Sequence, residues 1–116
     1  MKGIPSPCFV LEESKLARNL ELMHSVKERA GISIILALKG FAMWKVFPTI
    51  QKYLDGATAS SLHEAILCFE EMNSKAHTYC AAYVPEEFEQ ISDISSHISF
   101  NSVSYTHLTL PTKLEV

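Results

Sequence analysis

Ile32-Ser33-Ile34-Ile35-Leu36-Ala37-Leu38-Lys39-Gly40-Phe41 is the run on which the fold turns. It is short, apolar on both faces and β-branched at Ile32, Ile34 and Ile35, and a glycine closes it. This pattern predicts a strand covered on both sides, as in a parallel sheet. A lysine ammonium is costly to bury, so its place at the strand's carboxyl end asks for a reason. In parallel α/β barrels that end carries the chemistry. Lys39 is therefore a candidate amine nucleophile. The alternative is a solvated lysine whose stem lies along the strand end and whose head reaches water.

Around this strand the pattern alternates. Ser6 to Leu11 reads as a short extended segment, with Pro7 permitted at its start. Leu16, Leu20, Met23, Val26 and Ala30 keep a helical spacing over Ser14 to Ala30, and Gly31 can end that helix. After Lys39, residues from Ala42 to Leu54 form a further helix with Pro48 in its first turn or at a kink. Asp55-Gly56 is a turn. Ala57 to Ser60 is a small-residue strand. Ser61-Leu62-His63-Glu64 fits a capping box, and Leu62, Ala65, Ile66, Phe69 and Met72 stripe the helix it opens. Ala76 to Tyr83 is a third strand. Pro85, with Glu86 and Glu87 behind it, suits another helix start, buried through Phe88, Ile91 and Ile94. His97 to Asn101 is a fourth strand. Strands regularly alternating with helices imply a parallel sheet with right-handed crossovers. Four such strands cannot close a barrel of eight and leave two edges open. The order fits a small open α/β domain or the first half of a larger barrel.

Composition narrows the function. The 116 residues are 47% hydrophobic, enough for one packed domain. A net charge of -3 gives no reason to expect nucleic acid or a membrane as partner. The apolar runs are too short to span a bilayer, and Met1 to Pro5 lacks a signal-peptide pattern. Cys8, Cys68 and Cys80 are odd in number and widely spaced, which predicts reduced thiols and a cytoplasmic setting. No metal-ligand spacing, phosphate-cradling glycine loop or serine triad is present. His63 and His77 stand alone, and Trp44, Tyr79 and Tyr83 read as packing residues.

Several blocks taken together resemble a known family. They are Pro7 to Leu11, Leu36-Ala37-Leu38-Lys39-Gly40-Phe41-Ala42-Met43-Trp44, Asp55-Gly56-Ala57-Thr58-Ala59-Ser60-Ser61-Leu62-His63-Glu64-Ala65, and Ile98 to Ser102. They are similar to the amino-terminal part of the carboxynorspermidine (carboxyspermidine) decarboxylases. These are pyridoxal-phosphate enzymes built on an alanine-racemase-like barrel. The likeness runs from Pro7 to Val103. It implies an α/β fold, the first half (about four β/α units) of a TIM-type (β/α)8 barrel, with the family's second, β-rich domain absent. It implies that Lys39 holds pyridoxal 5'-phosphate as a Schiff base. The implied reaction releases carbon dioxide from carboxynorspermidine or carboxyspermidine, leaving norspermidine or spermidine, in a homodimer at full length. Glu64 matches a glutamate near the cofactor in related decarboxylases, against which stands its role in the capping box. Thr58 and Ser60 keep this group's threonine-alanine-serine pattern and either line the pocket or serve close packing.

The chemistry suits a lysine. A free lysine amine titrates about three units above neutrality, and desolvation or a cationic neighbour is needed to bring it down. The resemblance also marks what lies elsewhere: the family's cofactor-phosphate loop, its ring-stacking histidine, the acidic partner of the pyridine nitrogen and the substrate residues of the second domain. Residues 1–103 are thus assigned to the barrel, and Ser104 to Val116, which continue neither a helical pattern nor the likeness, to a non-family tail arising as a sequence artefact. The fragment is expected to be inactive alone. Two other readings stay open: another pyridoxal-phosphate barrel protein, either a racemase or a non-catalytic carrier, and a cofactor-free α/β module with an inert Lys39.

Overall fold

The computed structural model describes residues 3–101. Helix α1 (Glu13–Ala30) leads into β1 (Leu36–Ala37). A 3-10 turn (Trp44–Val46) runs into the short α2 (Phe47–Gln51). Then follow β2 (Ala57–Ala59), α3 (Leu62–Glu71), β3 (Ala76–Tyr79), α4 (Pro85–Ile94) and β4 (Ser95–Ser99). The four strands form one sheet in the order β1-β2-β3-β4, every pair parallel. Sequential order with helical crossovers is the arrangement of a β/α barrel wall.

Local signals set the element ends. Gly31 takes a left-handed conformation (φ 65°) and donates its N–H to the Lys27 carbonyl, which closes α1. Pro48 sits in the first turn of α2, where its missing N–H costs nothing. Pro85 does the same for α4, with Glu86 and Glu87 in that first turn.

Helices cover one face of the sheet. Ala57, Ala59 and Ala76 are fully buried there, and their small size lets Phe47, Ile50, Ala65, Cys68 and Met72 approach the backbone closely. A second cluster, of Cys80, Tyr83, Phe88, Ile91 and Ile98, lies under β3, β4 and α4. The buried Thr78 and Ser95 hydroxyls satisfy each other at 2.7 Å. The amino end of the sheet is tied by Asp55, whose carboxylate accepts from the Ile34 N–H (3.0 Å) and from Lys27 Nζ (3.1 Å). Those two contacts, the backbone N–H first, hold its pKa below the usual carboxylate range.

Several expectations are corrected. The Lys39 run is not covered on both faces: the strand proper is only Leu36–Ala37, and Ala37 and Lys39 are exposed. The reason is that nothing packs on the sheet's second face among the described residues. Ser6 to Leu11 joins no strand, and Phe9 is 98% exposed. The third strand ends at Tyr79 rather than Tyr83, and the fourth starts at Ser95. On α3 Ala65 is buried as the stripe predicts, but Cys68 is buried beside it and Phe69 is exposed. Trp44 (52% exposed) and Tyr79 (44%) are not core residues. The tail at 104–116 lies outside the described residues.

Candidate active site

In a parallel sheet every strand ends at the same rim, so the residues just after β1 to β4 gather there whatever their spacing in sequence. Lys39 follows β1. The Gly40 and Phe41 N–H groups both donate to the Ala37 carbonyl, at 3.0 and 3.2 Å, so the chain turns at once and leaves Lys39 exposed at the rim. Leu38 beside it is buried and donates its N–H to the Thr58 carbonyl. The register pairs Ala37 with Thr58, Thr58 with His77, His77 with His97, and Tyr79 with Ser99. Carried two residues on, it sets Lys39, Ser60, Tyr79 and Ser99 in one row along the rim. Ala37, Thr58, His77 and His97 form the row beneath, on the uncovered face.

Lys39 thus occupies the carboxyl rim, as the sequence predicts, but without the apolar enclosure that desolvation of its amine requires. A four-stranded wall has no opposite side to supply it.

Glu64 is engaged at the start of α3. One carboxylate oxygen accepts from the Ser60 N–H at 3.0 Å, and the Glu64 N–H donates to Ser61 Oγ at 3.2 Å. This is a capping box moved by one residue, because the carboxylate bonds the N–H before the cap residue rather than its own. It anchors the end of β2 to the start of α3. Thr58 is half-buried on the uncovered face, between fully buried alanines.

Two features at or just below the rim are not evident from sequence spacing. The first is the stacked pair His77 and His97, with centroids 4.2 Å apart and planes at 24°. Burial first, and the His97 charge second, lower the His77 pKa. Twenty residues separate the two rings, and only the strand register brings them together. The second is Tyr83. Its hydroxyl donates to the Ser99 carbonyl at 2.6 Å, lies 3.3 Å from the Thr78 carbonyl and accepts from the Cys80 N–H at 3.4 Å. It fastens the β3–α4 loop across the ends of β3 and β4. That loop borders a cleft of about 350 Å³ with Ser60, Ser61, His63 and Glu87 in its wall. Cys80, on the floor, has its thiol pKa pushed up by burial and by the Glu87 and Glu64 carboxylates, so it stays a neutral thiol. Among the described residues no cluster of three or more metal-ligating side chains occurs. No helix of the described residues is long and apolar enough to cross a membrane.

No protein-family model matches the chain. Individual relatives do. The chain is 44% identical over 107 residues to carboxyaminopropylagmatine decarboxylase of a Synechocystis strain, covering 92% of this chain and 28% of that protein. It is 42% identical over 104 residues to carboxynorspermidine/carboxyspermidine decarboxylase of Campylobacter jejuni (90% and 27%). To the enzyme of that name from Herminiimonas arsenicoxydans it is 39% identical over 101 residues (87% and 28%). The crystal structure of carboxynorspermidine decarboxylase from Campylobacter jejuni, complexed with norspermidine, superposes with a TM-score of 0.87. It is 39% identical and covers 96% of this chain and 31% of that one. The chain therefore spans somewhat over a quarter of the curated relatives it matches, and along nearly its whole length it is similar to the carboxynorspermidine/carboxyspermidine decarboxylases, its four units matching the start of a decarboxylase barrel.

Proposed function

We propose that the chain supplies the lysine-bearing part of a pyridoxal 5'-phosphate-dependent carboxy-lyase of polyamine biosynthesis. Its substrate is carboxynorspermidine or carboxyspermidine, and its products are norspermidine or spermidine and carbon dioxide. The reading includes a homodimer at full length and a cytoplasmic location. The observation that carries it is Lys39 at the carboxyl end of β1, in a chain 39–44% identical to named decarboxylases of this class. A primary amine exposed on the rim, with the hydroxyl-bearing Ser60 and Tyr79 alongside in register, fits a cofactor that presents an aldehyde and polar ring substituents.

Bound there, pyridoxal phosphate supplies an electron sink for the pair left on carbon when carbon dioxide departs. Lys39 would hold it through Nζ, and when that nitrogen is free it can carry a proton. Thr58, one step below the rim, would border the pocket. Glu64 acts at one remove as a positioning residue. By holding the Ser60 N–H it fixes where β2 ends beside Lys39.

The test is a chimera in which residues 3–101 replace the matching segment of the Campylobacter jejuni enzyme. Decarboxylation of carboxynorspermidine should persist, and Lys39→Ala in the chimera should lower it by about a thousandfold or more. A Lys39→Ala chimera as active as its parent would overturn the assignment. Carboxyaminopropylagmatine is a second candidate, favoured by the 44% identity to the Synechocystis enzyme. Comparing kcat/KM for the two substrates in the chimera ranks them as far as these residues decide.

A further inference from the structure

The cleft between the start of α3 and the β3–α4 loop belongs to the inner strands of the sheet. β2 and β3 each pair on both sides, and the cleft's walls lie within residues 60–91. Ser60 joins it to the Lys39 rim. That residue is the register neighbour of Lys39 in the rim row and also lines the cleft. Neighbouring strands lie about 4.8 Å apart, so the cleft opens beside the Lys39 position.

Its lining divides by chemistry. Leu62, Val84 and Ile91 supply apolar wall, and Val84 is 47% exposed although apolar. Glu87 supplies a carboxylate, and among the described residues no lysine or arginine lines the cleft. The Glu87 side chain is half-buried and, among the described residues, forms no ion pair and accepts no hydrogen bond.

The sign of the local field follows from a count. The N-termini of α3 and α4 both border the cleft, and each carries about half a positive unit. Glu64, Glu86 and Glu87 set three carboxylates in those two first turns. The carboxylates outweigh the dipoles. At α3, N–H donors that an anion would need are already taken, the Glu64 N–H by Ser61 Oγ and the Ser60 N–H by the Glu64 carboxylate. The Cys80 thiol on the floor registers the same sign: after burial, Glu87 and then Glu64 raise its pKa. Such a cleft rejects anions and suits a run of methylenes that ends in a cation.

We propose that the cleft takes the far ammonium end of a linear polyamine substrate, with Glu87 as its anionic partner and Leu62 and Val84 against the methylenes. The proposal deepens the decarboxylase reading and rests on it for the substrate class. Glu87 is then a specificity-determining residue. It holds a part of the substrate remote from the bond that breaks, so its loss should appear in KM rather than in kcat.

The test has a binding arm and a kinetic arm. Norspermidine titrated into the 116-residue chain should shift the backbone amide NMR signals of Ser61, His63 and Glu87 saturably. Glu87→Gln keeps the shape and removes the charge, and should weaken that binding about tenfold or more. Glu89→Gln makes the same change in net charge on the exposed, opposite flank of α4, and should leave the binding within about twofold. In the chimera supplied with pyridoxal phosphate, Glu87→Gln should raise KM for carboxynorspermidine about tenfold or more and leave kcat within about threefold. No saturable shift, equal weakening by the two variants, or an unchanged KM overturns the proposal. An inactive parent chimera, beside a chain that still binds norspermidine through Glu87, supports the cleft as a polyamine site and counts against the decarboxylase reading.

Discussion

The two faces of the sheet obey different rules. On the helix side, Ala57, Ala59 and Ala76 are all fully buried, and bulky partners on the helices fill the space their small size leaves. Volume fixes that face. On the other side the same strands carry Ala37, Thr58, His77, Tyr79, His97 and Ser99, half-buried or exposed. Little packing fixes that face here, and its residue types are those of chemistry. The strand patterns show the split: β3 alternates buried and exposed along Ala76 to Tyr79. Stability and the proposed function thus sit on opposite sides of one backbone, and substitutions should separate them.

The largest expected effect is on the helix side. Phe47 is fully buried in the larger core cluster, and Phe47→Ala removes most of its contacts. The expected loss is about 3–5 kcal/mol of unfolding free energy, measured by urea titration at fixed protein concentration. A loss below about 1 kcal/mol would mean that the two faces do not differ as described. Next comes the joint between the faces, the cap at Ser61. Ser61→Ala removes the acceptor of the Glu64 N–H and should cost about 1 kcal/mol. Glu64→Gln keeps an oxygen for the Ser60 N–H. If Glu64 is a positioning residue, Glu64→Gln should preserve most of the stability and most of the chimera's activity.

Among the carboxylates, acid should act at the amino end of the sheet. Asp55 has a depressed pKa, held down by the Ile34 N–H and then by Lys27. Its contribution is complete above the ordinary carboxylate pKa and is lost as pH falls through the depressed value. Asp55→Asn should flatten the acid limb of the stability profile measured between pH 6 and pH 2, an interval on the order of the usual carboxylate titration range. An unchanged limb would assign acid sensitivity to other groups.

Much of the helix side was legible in the sequence. The periodicity of α1, Gly31 as its cap, Pro48 and Pro85 in first turns, and Ser61 as a cap are all consequences of local backbone chemistry. So was the place of Lys39, because strand order alone determines which rim it reaches. The other face was harder. Its residues meet through register, and register is a property of strand pairs rather than of any window of sequence. His77 read as a lone histidine because its partner is twenty residues away. Tyr79 and Trp44 read as core because large aromatic residues usually are. The Lys39 strand read as doubly covered because its composition suits a complete barrel wall, which four strands do not make.

The smallest effect in free energy is the sharpest test of the uncovered face. His77 and His97 stack at 4.2 Å, and the proximity of a second imidazole makes the second protonation of the pair unfavourable. Burial and His97 together lower the His77 pKa, so His77 binds a proton less readily folded than unfolded. The sign follows: stability is full above the ordinary imidazole pKa and declines as pH falls below it. Replacing His97 by alanine removes the neighbouring charge and exposes His77, so both causes weaken. In a histidine-resolved NMR titration the His77 pKa should rise toward the ordinary imidazole value. The unfolding free energy near neutral pH should change by no more than about 0.5 kcal/mol, as for a surface substitution. A His77 titration unmoved by His97→Ala would break the pairing on which the lower row of this face rests. A large loss of stability would show that packing fixes this face after all.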